Sequence, residues 1–357
     1  MLNFNNPKFI LSKKIVLKQY EKVKSISDFV SYSSKTNPLV TPILEKQTGS
    51  LFSVHTTNEL KHIKDLSRVV FLAQALNQNS IRELISRKVK TFVVDNESDL
   101  DEILKFLEGK EGNDVKINLM LRLKLKENTI RTERYFVFGM NSDVVNKRIK
   151  EIRANEKLKN KINQLGIHFH RKSQNMAEWN LTYEISNSIN EDVMKLIDIM
   201  CIGGGLPSDY ANTNVNVIDS VFKKIIEFKD WLNKQNVKLM IEPGRFIAAP
   251  AVKLETEIIG MHENNIIVNA SVYNSDLDAL IVPVKLLVEG EVSKEEGSPF
   301  VIKGITPCSM DLYRYRVYLK NPKIGDKLVF LNAGAYNFTT DFCDLDMIET
   351  EIVDSFN

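Results

Sequence analysis

Four polar clusters in this chain each sit at or just after a short apolar run. They are Ser34-Lys35-Thr36-Asn37-Pro38, His168-Phe169-His170-Arg171-Lys172-Ser173-Gln174, Gly203-Gly204-Gly205-Leu206-Pro207 and Glu242-Pro243-Gly244-Arg245. A lysine ending an apolar strand would face a low-dielectric mouth, where desolvation disfavours the ammonium form and leaves an amine able to form a Schiff base. On a solvated loop the same lysine has no such role. Three glycines in a row let backbone N–H groups approach an anion, and a helix directly after them would add its N-terminal dipole. A plain turn is the alternative. His170 could stack flat on a planar cofactor, or be a satisfied core histidine. Glu242 would bring a single carboxylate to the same place, its other possible role being an ion pair with Arg245.

These groups can cooperate only if the fold gathers them. Short apolar runs at 29–33, 51–54, 68–72, 91–94, 117–123, 166–169, 196–202 and 238–241 read as strands. Amphipathic stretches at 58–64, 80–88, 97–107, 142–165 and 217–235 read as helices between them. Strands spaced by helices predict repeated β–α units with a parallel sheet, and eight of them predict a (β/α)8 barrel of the TIM type. In such a barrel reacting groups collect at the C-terminal ends of the strands, so all four clusters would converge on one mouth. After Pro250 the texture changes. Runs at 252–259, 265–272, 279–287, 298–302, 314–318 and 327–331 are punctuated by Glu-Gly, Gly-Ser-Pro, Asn-Pro and Gly-Asp turn signals, which predicts a separate, mostly antiparallel β domain.

Composition narrows the class. The chain has 357 residues, 48 Lys+Arg against 46 Asp+Glu, 43% hydrophobic and 26% charged residues. That length is enough for two or three domains, or one barrel plus a module. The balance of apolar and charged residues excludes a disordered chain, and a net charge of +2 argues against a non-specific nucleic-acid binder. The three cysteines, Cys201, Cys308 and Cys343, show no paired spacing, so neither a disulfide framework nor a Cys-x-x-Cys metal site is expected. No signal peptide and no run of about 20 apolar residues is visible, so a cytoplasmic protein off the membrane is expected.

Taken in order, Tyr32-Ser-Ser-Lys35-Thr-Asn-Pro38, Gly166-Ile-His-Phe-His170-Arg-Lys-Ser173-Gln174, Ile202-Gly-Gly-Gly-Leu-Pro207, Glu242-Pro-Gly-Arg245, Thr306-Pro-Cys308-Ser-Met-Asp311 and Ala333-Gly-Ala-Tyr336 resemble the fold-type-III pyridoxal-phosphate decarboxylases, the group of ornithine, diaminopimelate and carboxynorspermidine decarboxylases. The resemblance covers essentially the whole chain. It implies an alanine-racemase-like barrel over 28–248, a C-terminal β domain over 249–357, and an N-terminal segment 1–27 that joins the β domain. By this likeness Lys35 carries pyridoxal 5'-phosphate. Gly203, Gly204, Gly205 and Gly244 belong to its binding segments, and Ser173, Arg245 and Tyr336 help hold its phosphate. His170 stacks on its ring, Glu242 pairs with its ring nitrogen, Arg122 supports it, and Glu59 is a more distant supporting acid. Cys308 is the implied proton donor, reaching a partner's site across a homodimer interface. Tyr273, Ser309 and Asp311 are candidates for substrate contact. No metal is expected.

Glu242 orients the choice of reaction. A carboxylate beside a pyridine nitrogen stabilises its protonated, electron-withdrawing form, which favours decarboxylation. A racemase on a related barrel places an arginine there instead. The sequence also departs from the pattern. Ornithine decarboxylases hold the distal ammonium with two aspartates, and here the matching positions are Ala270 and Ser309. The glutamate of diaminopimelate decarboxylases after the cysteine is absent as well. Lys172 replaces a family glycine, and with Arg171 it could meet a distal carboxylate or simply be solvated. The expected activity is decarboxylation of an L-amino acid of the ornithine, lysine, diaminopimelate or carboxynorspermidine class, in polyamine or amino-acid metabolism. A catalytically silent regulatory homologue and an amino-acid racemase are the alternatives.

Overall fold

The computed structural model describes residues 4–125, 137–172, 174–175, 179–213, 216–337 and 339–356. The strands in chain order begin with β1 (Lys8–Ser12). Eight short ones follow: β2 (Phe29–Ser33), β3 (Leu51–Val54), β4 (Val69–Ala73), β5 (Thr91–Val94), β6 (Ile117–Arg122), β7 (Ile162–His168), β8 (Ile199–Cys201) and β9 (Lys238–Ile241). These eight close into a barrel in sequence order, and every neighbouring pair is parallel. Val70, Val93, Met120, Ile199, Cys201 and Met240 form a buried cluster contributed by strands around the ring. A barrel interior must be filled this way, because a void would forfeit contacts on all sides.

The helices between strands are positioned by local chemistry. Asn96 accepts a hydrogen bond from Asp99 N and starts the helix Glu97–Glu108, whose Leu100, Ile103, Phe106 and Leu107 are buried at helical spacing. Val221, Ile225, Phe228 and Leu232 bury one face of the helix Ile218–Asn233 in the same way.

The remaining strands are β10 (Val252–His262), β11 (Asn265–Val268), β12 (Leu287–Val288), β13 (Ser298–Lys303), β14 (Leu312–Leu319), β15 (Lys327–Leu331) and β16 (Glu349–Val353). They form a second sheet in the order β12-β15-β10-β11-β13-β14, with β1 joined to β10 and β16. Most of its pairs are antiparallel, but β1–β16 and β11–β13 are parallel. The N-terminal strand therefore belongs to this sheet. By compactness the chain divides into two units: Met1–Gln19, Pro207–Asn216 and Arg245–Asn357 make the sheet unit, and Tyr20–Leu206 with Val217–Gly244 make the barrel unit. Inclusion of Pro207–Asn216 in the sheet unit has no counterpart in the sequence reading.

Several expected elements differ: the strand expected over 265–272 stops at Val268, with a helical turn Val272–Ser275 after it, and the helix expected over 58–64 is a 3-10 helix, Thr57–His62. The helix expected over 142–165 ends at Ala154, and Ile162–His168 is β7. Leu158, Ile162 and Leu165 continue the helical spacing, but pairing of β7 with β6 and β8 decides the outcome. The strand expected over 279–287 is a short helix, Asp278–Ile281, followed by the two-residue β12. Pro283 lies between them and cannot donate to a ladder. No helix among the described residues is long and apolar enough to cross a membrane.

Candidate active site

All eight barrel strands are parallel, so their C-terminal ends lie at one end of the barrel, and the polar clusters follow from there. Lys35 sits on the turn Ser34–Thr36 directly after β2, and Glu242 directly follows β9. Ser33 N donates to Pro243 O at 3.1 Å. Gly244 lies so close to Thr36 that a Cβ there would strike its hydroxyl. The lysine turn and the glutamate segment are thereby fastened side by side. Lys35 itself is exposed. The burial expected around its amine is absent: β2 ends at Ser33, and Lys35 sits on the turn beyond it.

Glu242 is the opposite case, being only 3% exposed. Its Oε1 accepts from Ser53 Oγ on β3 at 2.8 Å, and its Oε2 meets His168 Nε2 on β7 at 2.9 Å. A carboxylate can only accept, so His168 Nε2 carries the hydrogen. Burial alone would raise the pKa of Glu242, but His168 and then the Ser53 hydroxyl favour the anion and bring it down to about 2. The ion pair with Arg245 considered from sequence does not form; Arg245 pairs with Asp278.

His170, His168 and Glu242 present ligand atoms within 4.8 Å of one another. Such a trio could also ligate a metal ion, which no sequence spacing revealed. His170 is accessible at the mouth, yet loss of hydration among the surrounding protein, followed by repulsion from His168, lowers its pKa to about 3. Gly204 N donates to its Nδ1 at 3.3 Å, so the neutral ring carries its hydrogen on Nε2. Gly203 and Gly205 have φ of +63° and +99°, and a Cβ on Gly203 would lie 2.5 Å from Phe169 O. The turn is bare because it must be. No helix follows it directly: the next long one starts at Ile218, with Pro207 intervening, so the expected helix dipole is missing.

Arg122, the last residue of β6, donates to Asp95 Oδ1 at 2.8 Å and lies over the Phe138 ring. Glu59 receives His55 N and Thr56 N, and so caps its own turn. His55, at the end of β3, is held neutral with a pKa of about 3 by burial and then by the charge of Lys35. Lys35 also acts on His170, which puts amine, imidazoles and Glu242 in one electrostatic neighbourhood. Ser173 lies outside the described residues.

The other expected residues belong to the sheet unit. Arg245 is buried and engages Asp278 with both terminal nitrogens, and its Nη1 donates to Tyr210 Oη at 2.9 Å. Its guanidinium also packs over the Tyr210 and Tyr336 rings. Arg245 thus has an internal carboxylate where a phosphate was expected. Cys308 Sγ lies 3.1 Å from Tyr273 Oη, and Ser309 is exposed. Asp311 is buried, and its oxygens accept from Val272 N, Thr306 N and Thr306 Oγ1. Its carboxylate organises the loop around Cys308 instead of facing outward to a substrate.

Sequence reading missed Ser53, His55, Asp95 and Asp278, and left His168 without a role. His168 had a signal: it lies two residues from His170 on a strand, which puts both on one face. Ser53, His55 and Asp95 are polar residues at or near strand ends, visible only once the barrel register is known, and Asp278 opens a short helix of the sheet unit where a strand was expected.

A parallel barrel whose mouth joins an accessible lysine, a buried ionised carboxylate, a neutral imidazole and a bare glycine turn belongs to the pyridoxal-phosphate barrel class. Residues 13–249 match the family described as pyridoxal-dependent decarboxylase, pyridoxal binding domain. The chain belongs to that family, whose cofactor is pyridoxal 5'-phosphate. Among its relatives, a diaminopimelate decarboxylase of Aquifex aeolicus (strain VF5) is 23% identical over 364 residues, covering 94% of this chain and 83% of that protein. A probable ornithine decarboxylase of Dictyostelium discoideum is 23% identical over 367 residues, covering 93% and 76%. The fold is shared with the lysine/ornithine decarboxylase of Vibrio vulnificus complexed with putrescine, at TM-score 0.77 and 22% identity over 98% of this chain and 95% of that one. It is also shared with the arginine decarboxylase of Paramecium bursaria Chlorella virus, at TM-score 0.76 and 21% identity over 98% and 96%.

Proposed function

We propose that this protein decarboxylates an L-diamino acid of the ornithine, lysine, diaminopimelate or carboxynorspermidine class, in polyamine or amino-acid metabolism. The observation that carries the reading is Glu242: a buried carboxylate kept ionised at the barrel end where Lys35 emerges. The residues fit the cofactor, because a Cβ would block the glycine turn and the amine and carboxylate chemistry is complementary to a pyridine aldehyde. When bound, pyridoxal phosphate withdraws the electron pair left at Cα as CO2 departs.

The chain's own residues supply the rest. Lys35 offers the amine that holds the aldehyde. Glu242 keeps a proton on the ring nitrogen by its negative charge, and Ser53 and His168 keep Glu242 ionised and aimed. His170, neutral and fixed by Gly204 N–H, presents a flat face. Gly205 offers its backbone N–H to the phosphate, while Gly203 and Gly204, whose N–H groups go to Cys201 Sγ and His170 Nδ1, keep the turn bare enough for the phosphate to approach. Ser173, Gly244, Arg245 and Tyr336 are the further members of its cradle that the family likeness suggests, although Arg245 would have to share itself with Asp278. Cys308 donates the proton that replaces CO2, and Ser309 is available for substrate contact. The same likeness supports a homodimer in which the cysteine serves the partner's site.

Release of CO2 from a panel of ornithine, lysine, arginine, diaminopimelate and carboxynorspermidine tests this. At least one should release CO2, and Lys35→Ala should abolish it. Mixing Lys35→Ala with Cys308→Ala protein should restore part of the activity if sites are shared. Silence toward the whole panel by cofactor-loaded protein would favour the regulatory homologue suggested by Ala270 and Ser309.

A further inference from the structure

Two short segments of the sheet unit are tied to each other by one carboxylate. Val272–Ser275 is a single helical turn capped by Ser271, whose Oγ accepts from Tyr273 N at 3.2 Å. The second segment is the loop from Thr306 to Asp311. Asp311 Oδ1 accepts from Val272 N at 2.9 Å, and Oδ2 accepts from Thr306 N at 3.0 Å and Thr306 Oγ1 at 2.7 Å. This clamp fixes the distance between the side chains the two segments carry. Tyr273 is 9% exposed, its ring stacks on Phe342 with centroids 3.9 Å apart, and its hydroxyl ends 3.1 Å from Cys308 Sγ. A nearly buried aromatic ring stacked on a neighbour is a firm support for a hydroxyl aimed at a sulfur.

We propose that Tyr273 is a positioning residue for Cys308: its hydroxyl donates to the sulfur and stabilises the thiolate left when the thiol gives its proton to the substrate carbon. This rests on the proposed place of Cys308 as proton donor. In the step, the S–H bond breaks and a C–H bond forms at the carbon that has lost CO2. The sulfur keeps the electron pair, Tyr273 keeps its proton while donating a hydrogen bond, and water later restores the thiol. The charge distribution around the pair agrees with this direction. The hydrogen bond to Cys308 pushes Tyr273 up to about 12, so the phenol stays protonated. Cys308 is lowered, first by Tyr273 and then by the backbone N–H of Met310, against the opposing charge of Asp311. Asp311 and then Cys343 are the other titratable groups acting on Tyr273, both raising it; Asp311 is buried and Cys343 exposed. Tyr273 was a candidate for substrate contact by sequence; the geometry gives its hydroxyl to the cysteine instead.

The test is the pH dependence of Cys308 alkylation by iodoacetamide on the full chain, read at the Cys308 peptide so that Cys201 and Cys343 do not contribute. In the wild-type protein the midpoint should fall below the ordinary thiol value of about 8.5. In Tyr273→Phe, which keeps the stack on Phe342, it should rise by roughly one pH unit. A wild-type midpoint at or above the ordinary value, or no shift in Tyr273→Phe, overturns the pairing whatever the enzyme's reaction. The second readout is product partition on the substrate identified by CO2 release. Tyr273→Phe should protonate the wrong carbon more often and so increase the fraction of turnovers that end in transamination. A shifted alkylation profile with unchanged partition would take Cys308 out of the reaction and overturn the proposal, while leaving decarboxylation itself standing.

Discussion

Burying a lone carboxylate is costly unless the anion is paired and hydrogen-bonded, and two acids in this chain resolve that demand in opposite ways. Glu242 is paired: His168 and Ser53 outweigh its desolvation and set its pKa at about 2 against an ordinary 4.5. The stability it contributes is therefore present above pH 4.5 and lost as pH falls toward 2. Asp276 is fully buried, and neither of its oxygens has a hydrogen-bond partner among the described residues. Burial, then the neighbouring Asp278, push it well above its ordinary 3.8. A raised folded pKa means that the folded chain binds more protons, so stability falls as pH rises from 3.8 through the folded value. Asp276→Asn removes that ionisation. It should raise Tm by about 2–4 °C at neutral pH, the shift that ~1 kcal/mol gives in a domain of ordinary size, with the gain vanishing near pH 3. Thermal melts of the two proteins at several pH values check this; a destabilised Asn variant at neutral pH would show that the carboxylate is satisfied after all.

At the scale of elements, the barrel strands were legible because each is a short, mostly buried apolar run set between capped amphipathic helices. Phe29–Ser33, Leu51–Val54, Thr91–Val94 and Lys238–Ile241 fall where their sequence pattern ends. Two strands of the second sheet were not legible as strands. β16, Glu349–Val353, is mostly polar with no buried residue, and β1 runs straight into the helix Lys13–Ser25; the pairing of β1 with β10 on one side and β16 on the other reveals them. Lys35, His170, the glycine turn and Glu242 stood out through their neighbours in sequence. Ser53 and His168 did not, because their role comes from a hydrogen bond spanning 189 residues in one case and 74 in the other. The glycine turn yields a prediction at this scale. Gly203→Ala must either leave a positive φ or push against Phe169 and His170. It should fold with unchanged far-ultraviolet circular dichroism yet lose pyridoxal phosphate on dialysis at least tenfold faster than wild type. Equal retention would place the phosphate elsewhere.

The whole molecule is a barrel unit and a sheet unit threaded by one chain, which crosses between them more than once. Evolutionary change at such a barrel can alter loops without disturbing the strands, which is how one fold serves decarboxylases named for ornithine, lysine, arginine and diaminopimelate. The proposed activity requires Lys35 to hold the cofactor while Glu242 meets its ring nitrogen. Absorbance titration of the cofactor-free protein with pyridoxal phosphate reads that most directly: wild-type protein should acquire the visible band of lysine-bound pyridoxal in a one-to-one ratio, and Lys35→Ala should show only the spectrum of the free aldehyde. The same band in Lys35→Ala, or none in the wild type, would contradict it.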